Sequence, residues 1–189
     1  KIRFFFQTFS IKFLYLQKNV SIMYADSELI LNADGSVFHL HLLPEQISDK
    51  IILVGDQNRV DLVASFFDSI ECRVENREFR TITGTYKGKR LTVLSTGIGT
   101  DNIDIVLTEL DALVNINFET REVCDTLKSL TIVRVGTSGG MQDFCPIGSY
   151  VVSKRSIGFD GVLNYYSGEN VCDLDFEDKF CKHVGYSAR

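Results

Sequence analysis

Leu130-Thr-Ile-Val-Arg-Val-Gly-Thr-Ser-Gly-Gly140 decides how the chain is to be read. It opens as an apolar, β-branched run, with a strand predicted over 131–135. Arg134 interrupts that run, and a loop of glycines and small residues follows. A buried guanidinium needs a partner, while glycines at a strand end let backbone N–H groups approach an anion. An anion bound at the sheet edge meets both conditions. An internal carboxylate such as Asp56 or Glu78 is the other candidate partner for Arg134, and these residues alone leave the choice open.

Two more strand ends repeat the pattern. Lys50–Val54, KIILV, ends at Gly55, and Gly55-Asp-Gln-Asn-Arg59 leads into a helix predicted over 58–67. Val60, Val63, Ala64 and Phe67 fall on one face of it. Arg90–Ser95, RLTVLS, ends in Ser95-Thr-Gly-Ile-Gly-Thr-Asp-Asn102. A helix over 101–114 follows, capped by Thr100 or Asp101, with Ile103, Val106, Leu107, Leu110 and Leu113 inward. Residues 77–86 alternate as a strand does, and Tyr86-Lys87-Gly88-Lys89 marks a hairpin. A strand over 150–154 and a helix over 175–184 complete the pattern. Strands alternating with helices predict an α/β domain, and the hairpin makes its sheet mixed. Ligands of open α/β sheets sit at the carboxyl ends of the strands, where the forked donors of Arg59 and Arg134 suit phosphate oxygens.

Composition limits the function classes. The 189 residues suffice for one domain with a sizeable core. A formal net charge of -5 gives no footprint for nucleic acid. No apolar run approaches the ~20 residues of a membrane span, so no membrane partner is expected. Cys72, Cys124, Cys145, Cys172 and Cys181 are widely spaced and form no C-x-x-C pair. They read as reduced thiols filling the core of a cytoplasmic protein. Residues 1–22 carry Lys1, Arg3, Lys12 and Lys18 and no acidic residue. Polar residues break up their apolar stretches, unlike a secretory signal. They are read as a non-native or disordered leader ahead of Met23, and 23–189 as part of a single domain.

Named motifs narrow the choice further. Gly97-Ile-Gly-Thr-Asp-Asn102 lacks the third glycine of a dinucleotide fingerprint. Gly88-Lys89-Arg90 lacks the residues and spacing of a P-loop. Gly136-Thr-Ser-Gly-Gly140 does match the G-x-S-x-G of a nucleophile elbow, with Asp160 or Asp173 and His183 following in hydrolase order. An elbow needs a helix straight after its serine, whereas Pro146 and Gly148 lie in the segment that follows here.

Six segments together resemble the nucleoside phosphorylase superfamily, and within it the uridine branch. They are Val37-Phe-His-Leu40, Gly55-Asp-Gln-Asn-Arg59, Asn76-Arg-Glu-Phe79, Ser95-Thr-Gly-Ile-Gly99, Arg134-Val-Gly-Thr-Ser-Gly139 and Phe159-Asp-Gly161. Gln57 departs from the proline usual at its position. The resemblance implies a three-layer α/β/α sandwich with a central mixed sheet, here incomplete. It also implies phosphorolysis of a pyrimidine nucleoside such as uridine to free base and ribose 1-phosphate. Gly55, Arg59, Arg134 and Thr137 would bind phosphate, and Arg77 would reach the phosphate of a neighbouring subunit. His39 would contact a neighbour's ribose, and Ile98 would lie along the ribose. Glu78 would sit at an interface site for a monovalent cation such as K+. Inorganic phosphate is the co-substrate, no other cofactor is implied, and a homo-oligomer, a dimer at least and in many members a hexamer, would be the active form. Family members carry base-reading residues in a segment beyond the matched one, so this chain alone is expected to be inactive. The alternatives are a purine nucleoside phosphorylase, a nucleosidase of the same fold, and a non-catalytic nucleoside- or phosphate-binding protein. Taken outside the resemblance, His39 and His41 in FHLHL could simply be the outer face of an edge strand.

Overall fold

The computed structural model describes residues 4–11, 23–165 and 172–185. Where the sequence reading has a single domain over 23–189, the chain divides into two compact units, Lys1–Lys154 and Arg155–Arg189. Among its described residues the first unit has nine strands, β1 (Phe4–Ile11), β2 (Lys50–Val54), β3 (Ser69–Asn76), β4 (Phe79–Tyr86), β5 (Lys89–Ser95), β6 (Ile116–Asn117), β7 (Glu122–Val123), β8 (Leu130–Gly136) and β9 (Tyr150–Val152). Helix α1 (Gln57–Ala64) follows β2 and α2 (Thr100–Asn115) follows β5. Seven of the strands form one sheet in the order β3-β4-β5-β2-β8-β1-β9, while β6 and β7 pair separately.

At the centre of the sheet, β5, β2 and β8 run parallel, with Val54 beside Ser95 and Leu53 beside Arg134. Their carboxyl ends therefore share one edge. On one side β4 and β5 join antiparallel through the expected turn at Lys87-Gly88, where both residues have positive φ, 49° and 72°. The sheet is thus mixed, as predicted.

Period-two alternation in β2 sorts the two layers of helix. Ile51 and Leu53 join the core that holds Val106, Leu110 and Leu113 of α2. Ile52 and Val54 face Val60 and Ala64 of α1. A parallel strand covered by helices on both faces must be apolar along its covered length, and Ile51–Val54 is, after the exposed Lys50. Each fully buried Leu or Ile here contributes about 1.5–3 kcal/mol by transfer from water. This is the three-layer arrangement, with α1 and α2 on opposite faces.

Several expectations change in detail. Strand β3 is an addition to the sequence reading, and residues 77–78 are the two-residue loop between β3 and β4 rather than the start of a strand. Helix α1 stops at Ala64, short of Phe67. Gly99 takes the N-cap position of α2, with no side-chain cap, in place of Thr100 or Asp101. FHLHL forms a turn, with His41 at φ 55°, and no edge strand. All five cysteines are half-buried, so none fills the core.

Phe4–Ile11, within the segment read as a non-native or disordered leader, pairs antiparallel with β8 and parallel with β9. An exposed strand edge is a template for any β-prone segment, and FFFQTFSI is rich in strand-forming residues. The remainder of that leader lies outside the described residues.

In the second unit, α3 (Leu174–Val184) is capped by Asp173, which accepts from the Phe176 N–H at 3.1 Å. Arg155 pairs with Asp173 at 3.0 Å, and Phe159 packs against Phe180 with ring centroids 5.9 Å apart. No helix among the described residues is long and apolar enough to cross a membrane.

Candidate active site

The shared carboxyl edge of β5, β2 and β8 gathers the three glycine turns. Arg134 lies two residues beyond Ile132 and so projects from the same face, past the end of the α2 core. Its guanidinium sits over bare backbone. A Cβ placed on Gly55 would lie 3.7 Å from Arg134 Nη2, and one on Gly136 would lie 2.8 Å from Nη1. A side chain at position 136 would displace the Arg134 guanidinium. Beside them, Gly97 adopts φ +69°, and a Cβ there would meet the Asn102 side chain at 2.6 Å and Glu78 Cγ at 3.2 Å. Glu78 and the start of α2 are therefore packed around the Gly97 turn.

Local structure holds each element. Asp56 caps α1 by accepting from the Asn58 N–H at 2.9 Å, which places Arg59 in the first turn. The Arg77-Glu78 loop is pinned from several sides. Gln57 donates to the Arg77 carbonyl at 2.8 Å, Ser95 donates to the Glu78 carbonyl at 2.9 Å, and Asn76 donates to the His39 carbonyl at 2.8 Å. Arg77 itself adopts φ 54°, and its guanidinium stacks over Phe38 at 5.5 Å. A left-handed residue with a long side chain costs about 1 kcal/mol or more and persists only where its surroundings hold it.

Charge pairing separates the arginines into two groups. Arg73, Arg80, Arg90, Arg121 and Arg155 each reach a carboxylate. Among the described residues no carboxylate pairs with Arg59, Arg77 or Arg134. The question posed by the sequence is thereby answered within this chain, since neither Asp56 nor Glu78 pairs with Arg134. A forked cation with no carboxylate partner among the described residues, over glycines at parallel strand ends, makes a place where an oxyanion can be held.

The remaining predicted residues are placed differently. Thr137 is exposed just after β8, and Ile98 projects from the Gly97 turn at 96% exposure. His39 lies in the turn over residues 38–40. Its ring Nδ1 lies 2.7 Å from Glu109 Oε1 on α2. Sequence reasoning missed Glu109, Asn76 and Phe38 as parts of this site. Only Asn76 carries a local signal, as the residue before a two-residue hairpin loop. No helix follows Ser138, since residues 137–149 are loop and turn, so the nucleophile elbow is absent. Among the described residues no group of three or more His, Cys, Asp or Glu side chains converges as a metal site.

The family model of the phosphorylase superfamily matches residues 49–186, a span that takes in both strand–glycine–helix units and β8. The chain belongs to the phosphorylase superfamily. Relatives of two specificities accompany that match. A uridine phosphorylase of Thermococcus kodakarensis is 30% identical over 133 residues, covering 70% of this chain and 43% of its own. A DeoD-type purine nucleoside phosphorylase of Geobacillus stearothermophilus is 32% identical over 119 residues, or 62% of this chain and 45% of its own. A solved uridine phosphorylase structure from the oomycete Phytophthora capsici aligns with TM-score 0.51 at 32% identity, covering 61% of this chain and 36% of that one. The chain thus spans about half the length of the curated relatives it matches. In this chain a mixed sheet with helices carries Arg134, near the end of β8, and the glycine turns to one edge.

Proposed function

We propose that this chain is the phosphate-holding part of a nucleoside phosphorylase. In the reaction, a phosphate oxygen attacks C1′ of the pentose, the bond from C1′ to the base nitrogen breaks, and the base departs with the electron pair. The products are the free base and pentose 1-phosphate. One observation carries this reading: Arg59, Arg77 and Arg134 lack carboxylate partners among the described residues, while the other described arginines are paired.

Phosphate is a weak nucleophile until it is desolvated and aimed. In this reading Arg134 and Arg59 orient it, Gly55 and Thr137 add backbone and hydroxyl donors, and Arg77 reaches the phosphate of a neighbouring subunit. Positioning of this kind is worth several kcal/mol, with about 7–11 as its upper range. The held anion also offsets positive charge as the sugar becomes oxocarbenium-like. Ile98, exposed on its turn, lies along the ribose, and His39 serves a neighbour's ribose. Glu78 beside Gly97 faces an interface cation such as K+. A dimer is then the smallest unit with complete sites.

Uridine is the proposed nucleoside, on the strength of the Arg77-Glu78 pair, His39 and the uridine phosphorylases among the relatives. The purine branch is the second reading, supported by the purine nucleoside phosphorylases matched at similar identity. A nucleosidase has little use for Arg59, Arg77 and Arg134 as phosphate ligands. The test follows free uracil from uridine in the longest natural form of the protein, with and without phosphate. Release that needs phosphate and is lost in Arg134→Ala supports phosphorolysis. Release without phosphate supports a nucleosidase, and release from inosine or adenosine alone supports the purine branch.

A further inference from the structure

We propose that Glu109 is a positioning residue that fixes the tautomer of His39, so that the imidazole presents a bare Nε2 to a hydroxyl group of the nucleoside. This rests on the reading of His39 as a nucleoside contact. The geometry comes from one carboxylate gathering three donors. Glu109 lies in the third turn of α2. Its oxygens accept from the His39 backbone N–H at 2.9 and 3.1 Å, from the Leu40 N–H at 2.8 Å, and contact His39 Nδ1 at 2.7 Å.

An ionised carboxylate has no proton to give. With Glu109 already serving two backbone N–H groups, the ring nitrogen beside it must be the protonated one. A neutral imidazole with its proton on Nδ1 carries its lone pair on Nε2. The ring is also clamped from other sides. Phe38 meets it edge-on at 5.0 Å, and Asn76 holds the His39 carbonyl at 2.8 Å. The His39 side chain is 29% exposed and that of Glu109 only 14%. A ligand can therefore reach the imidazole, while the carboxylate behind it is shielded.

The surroundings say what kind of ligand fits. His39 and Glu109 line a groove of about 210 Å³ together with Glu28, Asp104, Thr108 and Phe38. Three carboxylates and an acceptor nitrogen favour a group that donates a proton, as a sugar hydroxyl does. A phosphorylated sugar would set acceptor oxygens and negative charge against acceptors and negative charge. The same groove would then separate nucleosides from nucleotides. Holding the backbone turn at 37–40 requires only the two N–H bonds to Glu109. The ring bond is surplus to that role, and it is the one the tautomer reads.

The test is a two-bond ¹H–¹⁵N correlation spectrum of the ¹⁵N-labelled chain at about pH 8.5, where an ordinary imidazole is neutral. The three histidines are few enough to assign by loss of the His39 signals in His39→Asn. The wild-type chain should show His39 protonated on Nδ1 with Nε2 bare. Glu109→Gln has only one acceptor oxygen for three donors. It should move the ratio about tenfold or more toward the Nε2-protonated form, the equivalent of one charge-assisted hydrogen bond. A wild-type His39 protonated on Nε2 overturns the proposal without need of any variant, as does a tautomer ratio that Glu109→Gln leaves in place. Turnover plays no part in this readout. A chain with the expected tautomer but no phosphorolysis in any natural form would overturn the phosphorylase reading and leave the positioning of His39 by Glu109 standing.

Discussion

Replacing Arg134 by Met separates an arginine that serves a ligand from one that serves the fold. Met keeps an unbranched apolar stem over Gly136 and Gly55 and removes the charge. If Arg134 were paired internally, breaking the pair would cost about 3–5 kcal/mol by leaving a partly buried carboxylate uncompensated. No carboxylate among the described residues pairs with it, so Arg134→Met should leave the phosphate-free protein unchanged or more stable by up to about 1 kcal/mol. Phosphate should reveal the opposite ranking. At a concentration 100-fold above its dissociation constant it adds about 2.7 kcal/mol to the wild type. For a chain of this size that raises Tm by roughly 5–10 °C. Loss of a charge-assisted pair, about 1.5–3 kcal/mol, weakens binding roughly ten- to a hundredfold. The same phosphate then adds only about 0.4–1.4 kcal/mol to the variant. The assay is thermal unfolding of both proteins across a phosphate titration at constant ionic strength. A variant destabilised by about 3 kcal/mol without phosphate, with its phosphate shift intact, would refute the reasoning.

Four further outcomes follow from the backbone and the charges. Gly97→Ala should lose about 1–3 kcal/mol in denaturant melts, because φ +69° and the 2.6 Å approach of Asn102 both oppose a Cβ. Gly55→Ala, whose Cβ would make only ordinary contacts at 3.7 Å, should leave stability within about 0.5 kcal/mol. Arg77→Gly should be close to neutral, the relief of its φ of 54° offsetting the lost stacking on Phe38, while Arg77→Val should cost more than about 1 kcal/mol. Equal effects of these two substitutions in the same melts would remove backbone strain from the account. The Asp34 carboxyl is held below its ordinary value, first by the Ser36 hydroxyl and N–H and less by His41. A carboxyl depressed in the folded state stabilises above its unfolded pKa and loses that contribution as pH falls through the lower folded value. Amide exchange in the 32–41 turn should therefore quicken below about pH 4, and Asp34→Asn should abolish that acid step.

Much of this protein can be read from short stretches of its chain. Residues 51–54, IILV, are apolar at every position because a central parallel strand is covered on both faces, and the 3.6-residue spacing of Val106, Leu110 and Leu113 marks the buried stripe of α2. The glycines at 55, 97 and 136 are equally legible, since strand ends that turn tightly leave few other choices. Strand β3 escaped because SIECRVEN has exposed charges along a sheet edge and no uninterrupted apolar signal. The pairing of Phe4–Ile11 with β8, more than a hundred residues away, leaves no local signal. Local pattern determines which segments can be strands and helices and where the chain must turn, because propensity and periodicity act over a few residues. Only the tertiary structure decides which charges meet. It left Arg134 without a carboxylate among the described residues and set Glu109 against His39 across 70 residues of chain, since a charge pairs with whatever the fold brings within a few ångströms.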